Sequence, residues 1–93
     1  SKDECQIFLD KLNKDWSLNK DIKSIERTFT RKNHNDISSL LNLIIHISNI
    51  EDHHPEVTFG YNTATVKYFT YAIDGLSEND FICAAKLDKI TSI

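Results

Sequence analysis

Pro55, the only proline of the chain, constrains the fold more than any other residue, because it stands between a long apolar segment and a strand-like one. Proline disfavours helical geometry at the residue before it, so a helix running up to His53 must end there. The surrounding segment 51–57 also contains His53 and His54, half of the four histidines. Because imidazole titrates near neutral pH, two histidines at a helix end can donate and accept protons. Spacing alone favours a simpler interpretation, in which the pair only forms hydrogen bonds at the helix terminus.

The length and charge of the chain exclude several classes of protein. Its residues 1–93 are enough for one domain with a modest core. The formal net charge is −3, with lysines scattered among acidic residues, whereas a nucleic-acid-binding surface normally carries a basic patch. No apolar run approaches the roughly 20 residues of a membrane-spanning helix. We therefore expect neither a nucleic-acid partner nor insertion into a membrane.

The two cysteines, Cys5 and Cys83, lie far apart and lack the spacing of paired metal ligands. A disulfide between them is compatible with the sequence, but two isolated cysteines are more typical of reduced thiols in a cytosolic protein. We therefore expect a cytoplasmic protein.

Hydrophobic periodicity predicts one helix and two strands before residue 32. The first helix ends before Trp16 and carries an apolar row at helical spacing: Cys5, Phe8, Leu9 and Leu12. A short extended piece at 16–18 and a polar turn at 19–21 follow. The second strand is predicted over 22–31, with one face formed by Ile25, Arg27, Phe29 and Arg31. Since neither face of that strand is fully apolar, we expect both arginines along the sheet surface or its rim.

The central helix is predicted to begin after Asn33, whose side chain can cap it with Asp36 three residues later. It carries two apolar stripes. The first comprises Ile37, Leu40, Leu41 and Ile44, and the second comprises Leu43, Ile47 and Ile50. A helix on one side of a sheet needs only one stripe, so the second predicts packing against another copy of the chain. His46 within this helix is expected to be a packed or interface residue.

The last part of the chain reads as a hairpin followed by a helix. Val57, Phe59 and Tyr61 alternate along one strand, Gly60 marks a bulge, and Asn62-Thr63 reverses the chain. The return strand is predicted over 64–71, with Lys67, Phe69 and Tyr71 on one face and Val66 and Tyr68 on the other. After a turn at Asp74-Gly75, Ser77 and Asp80 can form a capping box for the last helix. The resulting order, α-β-β-α-β-β-α, predicts a single α+β domain with a four-stranded, mainly antiparallel sheet and helices packed on one face.

Three segments together resemble the pterin-4a-carbinolamine dehydratase family: EDHHPEV at 51–57, GYN at 60–62 and TYAIDGLSENDF at 70–81. The resemblance extends from Trp16 through the last helix. It implies dehydration of a 4a-hydroxytetrahydropterin to a quinonoid dihydropterin, in support of tetrahydrobiopterin recycling, without a metal or a tightly bound cofactor. It also implies tetramers in which the second helices pack into a bundle, so we expect a homodimer or homotetramer formed through helix 33–50.

By this resemblance the catalytic residues are His53, His54 and Asp80, and Pro55 and Thr70 join the histidines in binding the substrate. The chain departs from the family pattern at two positions. Tyr71 stands where the family usually has a third histidine, and Asn49 stands where it often has an acid. A phenol, with a pKa of about 10, donates a proton at neutral pH but is a poor base. We therefore count Tyr71 among the catalytic and substrate-binding candidates, either as the acid or as a wall of the pocket.

Two other functions are alternatives to the dehydratase interpretation of the sequence. Animal members of the family also serve as dimerisation cofactors of a transcription factor through the same helix surface, so a non-catalytic, partly nuclear binding module is the alternative. A metal protein built on His46, His53 and His54 is disfavoured, because neighbouring residues on a helix diverge by about 100°. No cysteine or carboxylate stands at metal-binding spacing either.

Overall fold

The computed structural model describes residues 1–92 and has the predicted order α-β-β-α-β-β-α. The helices are α1 (Lys2–Leu9), α2 (His34–Glu51) and α3 (Glu78–Thr91). The strands are β1 (Ser17–Leu18), β2 (Ile25–Thr30), β3 (Glu56–Phe59) and β4 (Thr63–Tyr68). A single turn of 3-10 helix, Tyr71–Ile73, lies between β4 and α3. None of the helices formed by residues 1–92 is long and apolar enough to cross a membrane.

The four strands form one antiparallel sheet in the order β1-β2-β4-β3. In the β2–β4 register, Ile25 lies opposite Tyr68 and Phe29 opposite Ala64, so these four residues share one face. All four are buried beneath α2 and α3, whose core residues are Ile37, Leu40, Ile44, Phe81, Ala84 and Leu87. The opposite face is polar and includes Glu26, Thr28, Thr58, Thr65 and Lys67. The predicted α+β class, with helices on one face of the sheet, is confirmed.

Local interactions set the ends of α2. At its start the Asn33 side chain accepts a hydrogen bond from the Asp36 N–H at 2.9 Å, as the capping pattern predicted. At its end Asp52 adopts a left-handed conformation, with φ 50°, and its N–H bonds to the Ser48 carbonyl. The helix therefore stops at Glu51, short of the predicted limit at His53. The chain then runs without regular structure through Pro55 into β3.

Both long strands are shorter than predicted. Strand β2 begins at Ile25, because residues 19–24 form a loop in which Ile22 has φ 60° and the Asn19 N–H bonds to the Ser24 carbonyl. Strand β4 ends at Tyr68, and Tyr71 begins the 3-10 turn instead of ending a strand. The predictions of strands over 22–31 and 64–71 were therefore wrong at these ends.

Two smaller predictions also need correction. Tyr61 and Asn62 form the tip of the hairpin, while Thr63 already pairs with Thr30, so the reversal lies one residue earlier than predicted. The β3–β4 register runs without an inserted residue, so Gly60 forms no bulge there. Helix α1 does end before Trp16, but it stops at Leu9, and the half-buried Leu12 lies beyond it.

The second predicted apolar stripe of α2, formed by Leu43, Ile47 and Ile50, is only partly exposed to solvent. Ile47 is buried, because α3 packs beside it, and it therefore belongs to the core of the single chain. Leu43 is half-buried, whereas Ile45 and Ile50 are 55% and 62% exposed. His46 is exposed in the single chain and so is not packed in its core. The exposed apolar surface of α2 thus comprises Ile45 and Ile50.

Arg27 lies on the helix-covered face of the sheet, contrary to the expectation of a surface position. Its guanidinium is 2.6 Å from the Asp88 carboxylate of α3 and lies over the Phe29 ring. Asp88 also accepts hydrogen bonds from Trp16 Nε1 at 2.7 Å and from the Asn13 backbone N–H at 2.9 Å. Because Asp88 can neutralise an inward-facing arginine, the charge is tolerated beneath the helix. This cluster joins β2, the segment after α1, and α3.

Candidate active site

Asp80 is the buried centre of the candidate site. It is the third residue of α3, and its side chain has no exposed surface. It forms the predicted capping box with Ser77, whose backbone N–H donates to Asp80 Oδ2 at 2.9 Å. A carboxylate is favourable here because the first turn of a helix presents unpaired N–H groups and the positive end of the helix dipole.

His53 bonds to the other oxygen of Asp80. Its Nε2 lies 2.5 Å from Asp80 Oδ1, and 13% of its side chain is exposed. The imidazole also stacks on the ring of Tyr68, with the centroids 6.2 Å apart and the planes inclined by 11°. The left-handed Asp52 turns the chain just before this residue. His53 is therefore held by a carboxylate from α3 and an aromatic ring from β4.

Thr70 completes the surroundings of Asp80. Its hydroxyl donates to Asp80 Oδ2 at 2.8 Å and lies 2.7 Å from the Ser77 hydroxyl. The backbone of Thr70 pairs with Gly75 through two hydrogen bonds, which closes the short loop after β4. The hydroxyl of this predicted substrate-binding residue is thus engaged inside the protein.

His54 and Pro55 lie outside this network. His54 is exposed, and within residues 1–92 its side chain makes no hydrogen bond. Pro55 is half-buried. Although His53 and His54 are adjacent in sequence, the first is anchored inside and the second faces solvent. Asn49, which replaces the family's acid, is also exposed.

Tyr71 lies in a different environment from His53. Its side chain is 81% exposed, and its ring packs edge-on against Phe69 with the centroids 4.6 Å apart. Together with Phe69, Lys67 and Glu56 it lines a cavity of about 270 Å³. His53 and Asp80 do not line this cavity, although Glu56 follows directly after Pro55. Tyr71 therefore lines the same cavity as Lys67 and Phe69, the two residues that the sequence placed on its face of the strand.

The sequence did not identify Tyr68 as a residue of the site, and it identified Ser77 only as a helix cap. The strand alternation placed Tyr68 on the same face as Val66, but nothing in the local pattern indicated that His53 would stack on it. Burial raises the pKa of the Tyr68 phenol above its ordinary value, and its hydroxyl has no hydrogen-bond partner among the described residues. Burial likewise raises the pKa of the Cys83 thiol on α3 to about 11. The sequence identified Ser77 as a helix cap. Its contact with Thr70 depends on the conformation of the loop after β4, so the local pattern could not predict it.

The fold and the site define a small α+β protein with a buried histidine–carboxylate pair, a combination suited to proton transfer. Within residues 1–92, no three histidine, cysteine or acidic side chains come together as potential metal ligands. The chain matches the family model described as pterin 4 alpha carbinolamine dehydratase over residues 1–90, and it belongs to that family. The resemblance noted in the sequence is thereby confirmed.

Known relatives agree with this membership. A Legionella pneumophila protein provisionally named a pterin-4-alpha-carbinolamine dehydratase is 41% identical over 90 residues, which cover 97% of this chain and 80% of the relative. A Nitrosomonas eutropha protein with the same provisional name is 45% identical over 89 residues, covering 96% and 77%.

Two solved structures share the fold. A Brucella melitensis protein described as a transcriptional coactivator/pterin dehydratase superposes with a TM-score of 0.90 at 26% identity, covering 97% of this chain and 95% of that one. A pterin dehydratase-like protein described as a RuBisCO assembly factor in the alpha-carboxysome gives a TM-score of 0.68 at 16% identity, covering 81% and 87%. The second comparison shows the fold alone.

Proposed function

We propose that the protein dehydrates a 4a-hydroxytetrahydropterin to the quinonoid dihydropterin by histidine acid–base catalysis. The observation that carries this proposal is the contrast between two adjacent histidines in a member of this family. His53 is anchored to the buried Asp80 carboxylate, whereas His54 is exposed and free to meet a ligand. A held imidazole and a free one are suited to different proton transfers.

The reaction needs two proton transfers. An acid must protonate the departing 4a-hydroxyl so that it leaves as water, and a base must remove the proton from a ring nitrogen. Imidazole can perform both tasks near neutral pH. We assign catalysis to His53, His54 and Asp80, with Tyr71 as a candidate acid, and substrate contact to the segment from His53 to Pro55. Because histidine side chains can supply both proton transfers, we propose that the reaction needs neither a metal nor a cofactor.

The cavity beside Tyr71 could bind a small planar ligand close to the segment from His53 to Pro55. Its volume of about 270 Å³ is slightly below the range for small-molecule sites, roughly 300–1,000 Å³. The aromatic side chains of Phe69 and Tyr71 offer stacking surface. Since the quinonoid product must be reduced before reuse, the proposed activity would support recycling of tetrahydrobiopterin. We place this activity in the cytoplasm, in keeping with two free cysteines.

We also propose that α2 joins copies of the chain into a dimer or tetramer. Ile45 and Ile50 expose apolar surface on this helix, and Ile50 borders an apolar cavity lined also by Ile47 and Ile90. Burial of such surface against an identical helix is favourable. The alternative function is a non-catalytic binding module, which would use the same surface to bind a different protein. The description of the Brucella melitensis structure as a transcriptional coactivator/pterin dehydratase supports this alternative.

The proposal is tested with freshly generated 4a-hydroxytetrahydropterin. The purified protein should accelerate its conversion to the quinonoid form above the rate in buffer, in proportion to protein concentration. Bovine serum albumin at equal concentration controls for nonspecific catalysis. A folded protein that leaves the buffer rate unchanged would favour the binding module instead.

A further inference from the structure

The hydrogen bonds around Asp80 have defined directions. A carboxylate carries no proton, so each group bonded to it must donate. The Ser77 N–H and the Thr70 hydroxyl donate to Oδ2, and His53 Nε2 lies 2.5 Å from Oδ1. Thr70 has a single hydroxyl proton, which is directed to Asp80. The Ser77 hydroxyl, 2.7 Å away, must therefore donate its own proton to Thr70. The result is a directed chain, Ser77 to Thr70 to Asp80, and the other oxygen of Asp80 faces His53 Nε2.

We infer that this chain fixes the tautomer of neutral His53, with the proton on Nε2 and a free lone pair on Nδ1. Within residues 1–92, Nδ1 makes no hydrogen bond. It is also not among the buried side-chain atoms that lack a partner, which are Arg27 Nε and the Tyr68 hydroxyl. Nδ1 is therefore accessible, and it is the atom through which His53 exchanges protons. Thr70 and Ser77 act on His53 through Asp80, so they are positioning residues.

The consequence for catalysis rests on the proposed function. When neutral His53 accepts a proton at Nδ1, the imidazolium keeps its Nε2–H on Asp80, and the buried carboxylate stabilises the new positive charge. Loss of the Nδ1 proton restores the starting tautomer. One ring nitrogen thus exchanges protons while the other stays bonded. The tautomer itself does not depend on any activity of the protein.

Asp80→Asn provides a sharp test, because an amide cannot accept at both of its ends. The Ser77 N–H and the Thr70 hydroxyl both require an acceptor, so the amide oxygen should occupy the position of Oδ2. The amide NH₂ group then faces His53, whose Nε2 must become the acceptor. The proton of neutral His53 should therefore move to Nδ1. A matched control is Asp36→Asn, because Asp36 occupies the corresponding third position of α2.

The measurement is a long-range ¹H–¹⁵N correlation spectrum of the full chain, recorded at a pH where its imidazoles are neutral. In the wild-type protein and in Asp36→Asn, the Nε2–H tautomer of His53 should predominate by about tenfold or more, as expected for a hydrogen bond to a charged group. In Asp80→Asn the ratio should reverse, while the exposed His54 should not change. A companion Asp80→Asn, Thr70→Val variant should show a weaker reversal, because one of the two groups that orient the amide is missing.

Predominance of Nδ1–H in the wild-type protein would overturn the inference, as would an unchanged ratio in folded Asp80→Asn. If Asp80→Asn fails to fold, the wild-type spectrum alone decides. The result is also separable from the proposed function. A protein with the expected tautomers but no dehydratase activity would retain this inference and reject the function.

Discussion

His53 Nε2 lies 2.5 Å from Asp80 Oδ1, and this contact joins two segments that are 27 residues apart in sequence. It connects the turn that ends α2 with the first turn of α3. The left-handed conformation of Asp52 and the capping box of α3 are local features. Together they place the His53 imidazole against the buried Asp80 carboxylate. The pairing gives His53 a fixed orientation that neighbouring His54 lacks.

Asp88 should contribute strongly to stability. In Asp88→Ala, the Arg27 guanidinium and the Trp16 indole N–H would both lose a partly buried, charged acceptor, so the free energy of unfolding should fall by about 2–4 kcal/mol. Urea denaturation monitored by circular dichroism measures this change. Lys23→Ala is the comparison, because the Lys23–Asp74 pair is exposed and should add no measurable stability. Equal midpoints for Asp88→Ala and the wild-type protein would contradict the role of the cluster.

Tyr68 and Cys83 should make the protein sensitive to alkaline pH. Burial raises both pKa values, from 9.0 to about 11 for Cys83 and upward from 10.0 for Tyr68. The unfolded chain therefore releases these protons at lower pH than the native protein does. Their contribution to stability is present below the unfolded pKa and declines as pH rises, by about 1.4 kcal/mol per pH unit for each group.

Tyr68→Phe removes one of these two groups and a hydroxyl without a hydrogen-bond partner. The variant should be at least as stable as the wild-type protein at neutral pH. Above pH 10 its free energy of unfolding should fall less steeply than that of the wild-type protein. Urea titrations between pH 8 and 11 test this, with the exposed Tyr61→Phe as the matched control. Parallel pH profiles for Tyr68→Phe and the wild type would contradict the prediction.

Many features of the fold follow from short-range patterns. The capping residues Asn33 and Ser77 and the alternation along β2 and β4 act within a few residues, so the sequence predicts the elements and their order. The burial of Ile47 and the inward position of Arg27 depend on where α3 lies. These features could not be predicted from the segments that contain them.

The same distinction applies to the site. The family motif identified His53, His54 and Asp80 as candidates, but it did not separate an anchored histidine from a free one. That separation depends on the conformation of Asp52 and on the distant Asp80. The position of Tyr71 was misjudged because β4 ends at Tyr68, and a strand end has weak local signals.

The α2 surface should control assembly. Ile50→Asp would place a charge in the proposed apolar interface, so the variant should dissociate at a protein concentration at least tenfold higher than the wild type. Sedimentation velocity across micromolar concentrations measures this. Ile7→Asp is the matched control, since Ile7 is similarly exposed on α1. A wild-type protein that sediments as a monomer at all concentrations would reject the assembly proposal.

Tyr71 provides a separate test of the chemistry. If its hydroxyl is the proton donor, Tyr71→Phe should reduce turnover about tenfold or more while pterin binding stays nearly unchanged, because the aromatic ring remains. Tyr71→His should retain or raise activity and move the pH optimum towards neutrality, because imidazole titrates there. Steady-state rates and substrate affinity across pH separate these effects. Full activity in Tyr71→Phe would leave Tyr71 as a wall of the cavity.

The dehydration rate of His54→Ala tests the central claim most directly. His54 is exposed and makes no hydrogen bond within residues 1–92, so the variant should fold like the wild-type protein. The account predicts a rate at least about 100-fold lower with 4a-hydroxytetrahydropterin, as expected when one acid–base group is removed. His34→Ala, which removes a histidine outside the site, should retain the wild-type rate. A folded His54→Ala protein with near-wild-type turnover would contradict catalysis by the histidine pair.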